Sequence, residues 1–263
     1  MYLEHFQLKS QPFSEHAAVS GLWQDQRMEE GLARLEYLIQ CGQLGLITGP
    51  SGVGKSALLK RFLHSRLPQH CQALYCHFSQ LPSAGLLKRV VTQRGESPRR
   101  GKERIYEQLL ERAARAEGAL LLIFDEAHLL DSDALTDLRL LISSALDVRP
   151  PLKMLLVGQE PLRAVLRRAQ HADLLNRVSV RYQFRPLTRE QTCRYIDFQL
   201  RQAGGDAKLF DDSVKGAIHD FTGGVPRQSN NLATACLRQA TARKVRRIDD
   251  DLFQQAASEF QLP

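Results

Sequence analysis

The segment Gly49-Pro50-Ser51-Gly52-Val53-Gly54-Lys55-Ser56 constrains this chain more than any other eight residues in it. It fits the spacing GxxxxGK[ST] at every fixed position, between a short apolar run, Leu44 to Thr48, and a stretch of helical period, Ala57 to Leu67. A strand that feeds a glycine-rich turn and then a helix is the arrangement that wraps a phosphate. The glycines let backbone N–H groups curl around the anion, the helix N-terminus offers its positive dipole end, and Lys55 neutralises the β- and γ-phosphates. Ser56 supplies a hydroxyl for Mg²⁺, and Gly49 to Ala57 form the expected nucleotide cradle.

Around that loop the chain alternates two periods. Apolar runs at Leu44 to Thr48, Ala73 to Phe78, Ala119 to Phe124, Met154 to Val157 and Val178 to Phe184 are strand-sized, and helical stretches separate them. The pattern predicts an α/β fold whose five-stranded, mainly parallel sheet is flanked by helices. One such helix is Gln26 to Gln40, with Met28, Leu32, Leu35 and Ile39 at helical spacing. Beyond Pro186 no strand follows, and Thr188 to Gly204, Asp211 to Phe221 and Gln228 to Arg243 read as helices. Thr188 with Gln191 makes a capping box, and Gly204-Gly205 and Gly223-Gly224 supply stops. The predicted organisation is an α/β nucleotide-binding domain at 1–187, opened by an aromatic segment at 1–25, and a small all-helical domain at 188–263.

With 263 residues, 43% of them hydrophobic, the chain can bury a full core, which excludes intrinsic disorder. No apolar run approaches the ~18 residues of a membrane span, and Met1 to Pro12 is too polar for a signal peptide. The reading therefore expects no membrane association and a cytoplasmic protein. Five dispersed cysteines without a CxxC pair fit free thiols in a reducing compartment and argue against zinc. A net charge of +7, carried by 27 Arg and 9 Lys, makes polyanions plausible partners.

A second element turns nucleotide binding into an expectation of hydrolysis. Leu120 to Phe124 reads as a buried strand and ends in Asp125-Glu126. Asp125 can reach Mg²⁺ through water, while Glu126 can orient and deprotonate the attacking water. Ala127-His128 then opens the next helix, with His128 a packing residue and not a metal ligand. Phe13 and Trp23 are candidates to shelter an adenine base.

The phosphate loop, the Asp125-Glu126-Ala127-His128 strand end and the C-terminal helices, in that order, resemble the AAA+ ATPases over nearly the whole chain. The opening Met1-Tyr2-Leu3-Glu4-His5-Phe6 with Gln11-Pro12-Phe13, and Leu155-Leu156-Val157-Gly158-Gln159 with Pro161-Leu162, are similar to the ExeA/GspA-type group. That group includes the ATPase regulators of bacterial DNA transposons. The resemblance implies an AAA+ P-loop NTPase fold with a helical lid, and ATP and Mg²⁺ as cofactors. It also implies roles for single residues. Gln159, at the end of the fourth core strand, takes the place of the polar sensor 1, where asparagine is commoner. Arg177 precedes the fifth strand and stands where an arginine finger would act in trans on a neighbour's ATP, with Arg181 the second choice. Gly224-Val225-Pro226-Arg227 looks like the sensor 2 motif, which puts Arg227 near the γ-phosphate of its own subunit. A finger in trans implies self-assembly into a ring or helical filament.

The densest basic stretch runs from Leu87 to Lys102 and contains Lys88, Arg89, Arg94, Arg99, Arg100 and Lys102. Cations on a mobile loop suit tracking of a phosphate backbone without base readout. In oligomers that this chain resembles, the corresponding region faces a central channel. Arg243-Lys244 and Arg246-Arg247 read as solubilising charge. The expected function is an ATP-dependent, sequence-nonspecific regulator of transposition that assembles on double-stranded DNA and recruits or activates a transposase, with a target-selection protein as a further partner. The alternative is a secretion or envelope-assembly ATPase of ExeA/GspA type that works through a protein partner.

Overall fold

The computed structural model describes residues 2–14, 17–77, 83–93, 95–144 and 152–260. In chain order the elements begin α1 (Tyr2–His5), α2 (Gln26–Gln40), β1 (Leu44–Thr48), α3 (Lys55–Ser65), β2 (Gln72–His77), α4 (Ser83–Thr92), α5 (Lys102–Arg115) and β3 (Leu120–Asp125). They continue with α6 (Ser132–Ser144), β4 (Leu152–Gly158), α7 (Pro161–Leu166), α8 (Ala172–Asn176), β5 (Val178–Gln183), α9 (Arg189–Gln202), α10 (Asp212–Thr222), α11 (Pro226–Ala242) and α12 (Asp250–Phe260). Two compact units result: Gln26–Gly49 with Leu58–Phe184, and Met1–Asp25 with Pro50–Ala57 and Arg185–Pro263.

The first unit is built on a parallel sheet in the order β2-β3-β4-β1-β5. Strands covered on both faces need apolar residues at successive positions, and β1, β3 and β4 are buried along their whole length. The edge strands β2 and β5 alternate buried and exposed positions instead. On one face Leu46, Cys76, Phe124 and Leu156 pack with Leu86 of α4, Leu109 of α5, Leu138 of α6 and Leu162 of α7. On the other, α2 lies so close that a Cβ on Gly45 would fall 2.7 Å from Leu38 and 2.9 Å from Leu155. The register pairs Thr48 with Gly158 and Phe124 with Leu156. β1 and β3, on either side of β4, therefore end at the same edge of the sheet, within about one residue of each other.

The second unit packs its helices around Ile196, Leu200, Phe210, Val214, Ile218, Leu232, Cys236 and Leu252. Thr188 caps α9 as its sequence predicts: its side chain accepts from the Gln191 N–H at 3.2 Å, and the Gln191 side chain accepts from the Thr188 N–H at 2.9 Å.

Two readings of the sequence are corrected here. Residues 2–14 do not join the sheet: Phe6, Leu8 and Phe13 complete the helical core, and the Lys9 N–H donates to the Ala203 carbonyl at 2.7 Å. An apolar anchor fits either core, so composition alone does not choose between them. Ala127-His128 begins no α-helix; a 3₁₀ turn, Ala127–Leu129, follows β3 and the helix waits until Ser132. A further helix, α12, closes the helical unit with Leu252, Phe253, Ala256 and Ala257 on its buried side. Phe78, read as the end of β2, lies outside the described residues.

Candidate active site

β1 delivers the phosphate loop. The Gly49 N–H donates to the Gly158 carbonyl at 3.3 Å, and the chain then turns out of the sheet. Gly52 (φ 75°) and Gly54 (φ 114°) adopt left-handed conformations that a side chain would oppose. Lys55, only 6% exposed, donates from its ammonium to the Pro50 carbonyl at 2.8 Å, so its head group folds back over the loop. Val53 is buried, whereas Ser51 and Ser56 remain exposed.

Within the same compact unit, the start of α11 clasps this loop. The Arg227 N–H donates to the Gly52 carbonyl at 3.2 Å, and a Cβ on Gly52 would lie 2.7 Å from that of Arg227. Gly52 is thus required both for its positive φ and for the approach of Arg227. Gly224 (φ 72°) accepts from the Leu187 N–H at 2.9 Å, and Pro226 opens the helix. An unsatisfied N–H of the first helical turn finds its acceptor in the phosphate loop.

β3 delivers the carboxylates. Asp125, 2% exposed, accepts from the Glu126 N–H through Oδ1 at 2.9 Å and from the Tyr75 hydroxyl through Oδ2 at 2.5 Å. His77 Nδ1 stands 3.8 Å from the same Oδ2. Glu126 itself is left-handed (φ 52°, ψ 34°), a conformation that costs a non-glycine residue about 1–2 kcal/mol. The Leu129 N–H, donating to its carbonyl at 2.9 Å, helps to hold the turn.

The Glu126 carboxylate lies 3.3 Å from His128 Nδ1, and the Gln159 N–H points at that same nitrogen from 3.4 Å. One Nδ1 cannot donate to the carboxylate while accepting from the amide, so the proton on His128 decides which neighbour it serves. A Cβ on Gly158 would fall 3.1 Å from the His128 backbone nitrogen, which is how the turn after β3 passes so close over the end of β4. His128 is therefore more than packing: it links Glu126 to the residue after β4.

Phe13 does not serve a base. It is 4% exposed and sits edge-on to Phe210 at 6.4 Å in the helical core, where burying a large apolar ring is the stronger demand. Trp23 meets Tyr195 edge-on at 5.6 Å. Arg177 follows α8, and its guanidinium meets no acceptor among the described residues. The Arg181 guanidinium, by contrast, donates to the Leu175 carbonyl at 3.2 Å.

The basic stretch differs from its reading. Lys88, Arg89 and Arg100 are exposed, and Arg94 lies outside the described residues. Arg99 forks onto Glu111 at 2.9 and 2.7 Å, and Lys102 meets the buried Asp137 at 2.5 Å. Gln108 accepts from the Arg99 N–H and donates to the Ser97 carbonyl, each at 3.1 Å, folding the loop onto α5. A free loop with every cation open is thus corrected, because acids on α5 and α6 supply counter-charges.

The donors present suit a nucleotide and a hard divalent ion. In the loop, N–H groups, the Lys55 ammonium and the Ser56 hydroxyl suit phosphates; in the unit of the sheet, the Asp125 carboxylate, whose two oxygens each keep a lone pair after accepting from Tyr75 and Glu126, suits a hard cation.

Residues 40–166 match the family model of an AAA domain. Over 255 residues the chain is 29% identical to General secretion pathway protein A of Aeromonas hydrophila; the match takes in 94% of this chain and 46% of the relative, about half its length. Among solved structures it is similar to Cdc6p from Pyrobaculum aerophilum (TM-score 0.74, 16% identity, 94% of this chain and 70% of that one). It is similar also to the Aeropyrum pernix Orc1 protein in complex with DNA (TM-score 0.66, 16% identity, 94% and 68%). The shared feature is the fold, that of the AAA+ P-loop NTPases. Among the described residues no helix is long and apolar enough to cross a membrane.

Proposed function

We propose that this chain is an ATP-hydrolysing switch that assembles with copies of itself on duplex DNA and there recruits or activates a transposase. The end of β3 carries the hydrolytic half of this reading: a buried, doubly hydrogen-bonded Asp125 followed by Glu126 in a strained turn, its carboxylate 29% exposed. In the proposed reaction the N–H groups from Gly52 to Ser56 and the Lys55 ammonium hold the phosphates. Ser56 and, through water, Asp125 would hold Mg²⁺, which would supply neutralisation of charge on the phosphate oxygens. Glu126 takes the proton of the attacking water, with Gln159 orienting that water and Arg227 countering charge on the γ-phosphate. Arg177 of a neighbouring copy completes the site.

The DNA half is supported by the net charge of +7, by the exposed Lys88, Arg89 and Arg100, and by a fold shared with an Orc1 protein solved on DNA. A second reading, a secretion-type ATPase with a protein partner, is favoured by the 29% identity to General secretion pathway protein A and by the pairing of Arg99 and Lys102.

Glu126→Gln separates the parts. It should keep ATP binding while turnover falls by about 10²–10⁴-fold; turnover within tenfold of wild type would remove Glu126 as the base. Sedimentation of this variant with Mg²⁺ and ATP, with and without random-sequence duplex, then tests the partner. Assembly that needs both ligands supports the DNA reading, and assembly on nucleotide alone supports the second.

A further inference from the structure

We infer that Tyr75 is a positioning residue for the metal-assisted reaction proposed above: its phenol fixes the Asp125 carboxylate in the orientation that Mg²⁺-bound nucleotide requires. The inference rests on that functional reading and deepens it.

β2 is an edge strand, and its side chains alternate. Leu74 and Cys76 enter the core, while Tyr75 and His77 take the other face. The β2–β3 register pairs His77 with Asp125 and Tyr75 with Ile123, so the phenol reaches Asp125 along the diagonal, a span open to long aromatic side chains. Tyr75 is 37% exposed overall, but its hydroxyl is not left to solvent. It is instead 2.5 Å from Asp125 Oδ2, the length of a charge-assisted O–H···O⁻ bond.

The other end of Tyr75 is also tethered. The Gln93 side-chain amide donates to the Tyr75 carbonyl and reaches Cys76 Sγ at 3.1 Å. With the Glu126 N–H on Oδ1 and the phenol on Oδ2, the carboxylate cannot turn about its terminal torsion, which is otherwise broad. Each oxygen keeps one lone pair in a fixed direction. Losing the outer partner of a directly ligating residue typically costs ten- to a hundredfold in metal affinity, and a carboxylate that acts through water belongs at the low end of that range.

The test is binding of a fluorescent ATP analogue to the full chain, titrated with Mg²⁺ and repeated in EDTA. Tyr75→Phe keeps the ring and its packing. It should raise the Mg²⁺ concentration needed for half of the effect by about tenfold, with affinity in EDTA unchanged. In an Asp125→Ala background the same substitution should add nothing. A wild-type Mg²⁺ dependence in Tyr75→Phe, or an equal further shift on top of Asp125→Ala, would overturn the role of Tyr75 while leaving the ATPase reading intact. Wild-type nucleotide binding indifferent to Mg²⁺ would overturn both.

Discussion

The edge of the sheet where β1 and β3 end and the basic stretch at 87–102 are both dense in ionisable groups, yet the protein treats them in opposite ways. At the edge, Asp125 is held by a phenol and an amide, with the His77 ring 3.8 Å away, and Glu126 is kept in a strained turn beside His128 with part of its carboxylate in solvent. In the basic stretch, Arg99 and Lys102 each meet an acid, Glu111 and Asp137, and Glu96 within the stretch meets Arg112 of α5. Acids positioned without an arginine or lysine partner among the described residues await something from outside, whereas acids matched by one hold the fold. Motif density does not separate the two cases; partners do.

The contrast breaks most decisively at Arg177, an arginine whose head group, like those of Arg89 and Arg100, finds no acceptor among the described residues. Arg177→Ala should lower turnover by about 10³–10⁵-fold in the assembled protein, and Arg181→Ala, whose guanidinium holds Leu175, only a few-fold. Mixing is the sharper form of this test. Arg177→Ala copies retain Glu126 and Glu126→Gln copies retain Arg177, so a mixture of the two inactive proteins should recover turnover at composite sites. No recovery from two folded variants would mean that Arg177 does not act across subunits.

A smaller effect is expected where charges are matched. Asp137 is 2% exposed and accepts from the Ser83 hydroxyl as well as from Lys102. Asp137→Ala leaves a buried hydroxyl without its acceptor and frees the N-terminus of α5, which should cost about 2–3 kcal/mol in urea unfolding. Lys102→Met should cost under about 1 kcal/mol, because the Lys102 side chain is 44% exposed and its half of the pair is screened by water. Equal losses would place the stabilising interaction in the ion pair itself and not in burial of the acid.

What the sequence discloses follows the same division. The loop from Gly49 to Ser56 is legible because each residue's task is set by the backbone within a few positions, and its glycines do adopt positive φ where the turn needs it. The strands fall within one or two residues of their apolar runs, since burial on both faces leaves a continuous signal; Met154 to Val157 lengthens to Leu152–Gly158 because Lys153 interrupts the run. Lys153 is nonetheless buried, its ammonium donating to the Gly42 carbonyl. What stays hidden depends on neighbours distant in the chain. Tyr75 is fifty residues from Asp125, Lys102 is thirty-five from Asp137, and Phe13 reaches Phe210. The one local hint of Tyr75 was the alternation of β2, which ends in two polar-headed residues on one face. Arg227 against Gly52 was reachable only through resemblance, because nothing local to either residue announces the other.

The finest test concerns which cations would meet a phosphate backbone. Each phosphate contact contributes about 0.9 to the slope of log affinity against log salt. If the open cations do this work, replacing Lys88, Arg89 and Arg100 by Ala should flatten the slope by about 2–3. Replacing Arg99 and Lys102 should leave it near wild type, because those side chains already hold Glu111 and Asp137. The opposite result would mean that DNA strips both ion pairs as it binds, making the loop a conditional clasp and undoing the contrast with the sheet edge. An unchanged slope in both variants would remove this stretch from the DNA path and turn the weight of argument toward a protein partner. The slope is the better observable than affinity at one salt concentration, since loss of fold lowers affinity at every ionic strength while loss of a phosphate contact changes how affinity responds to salt.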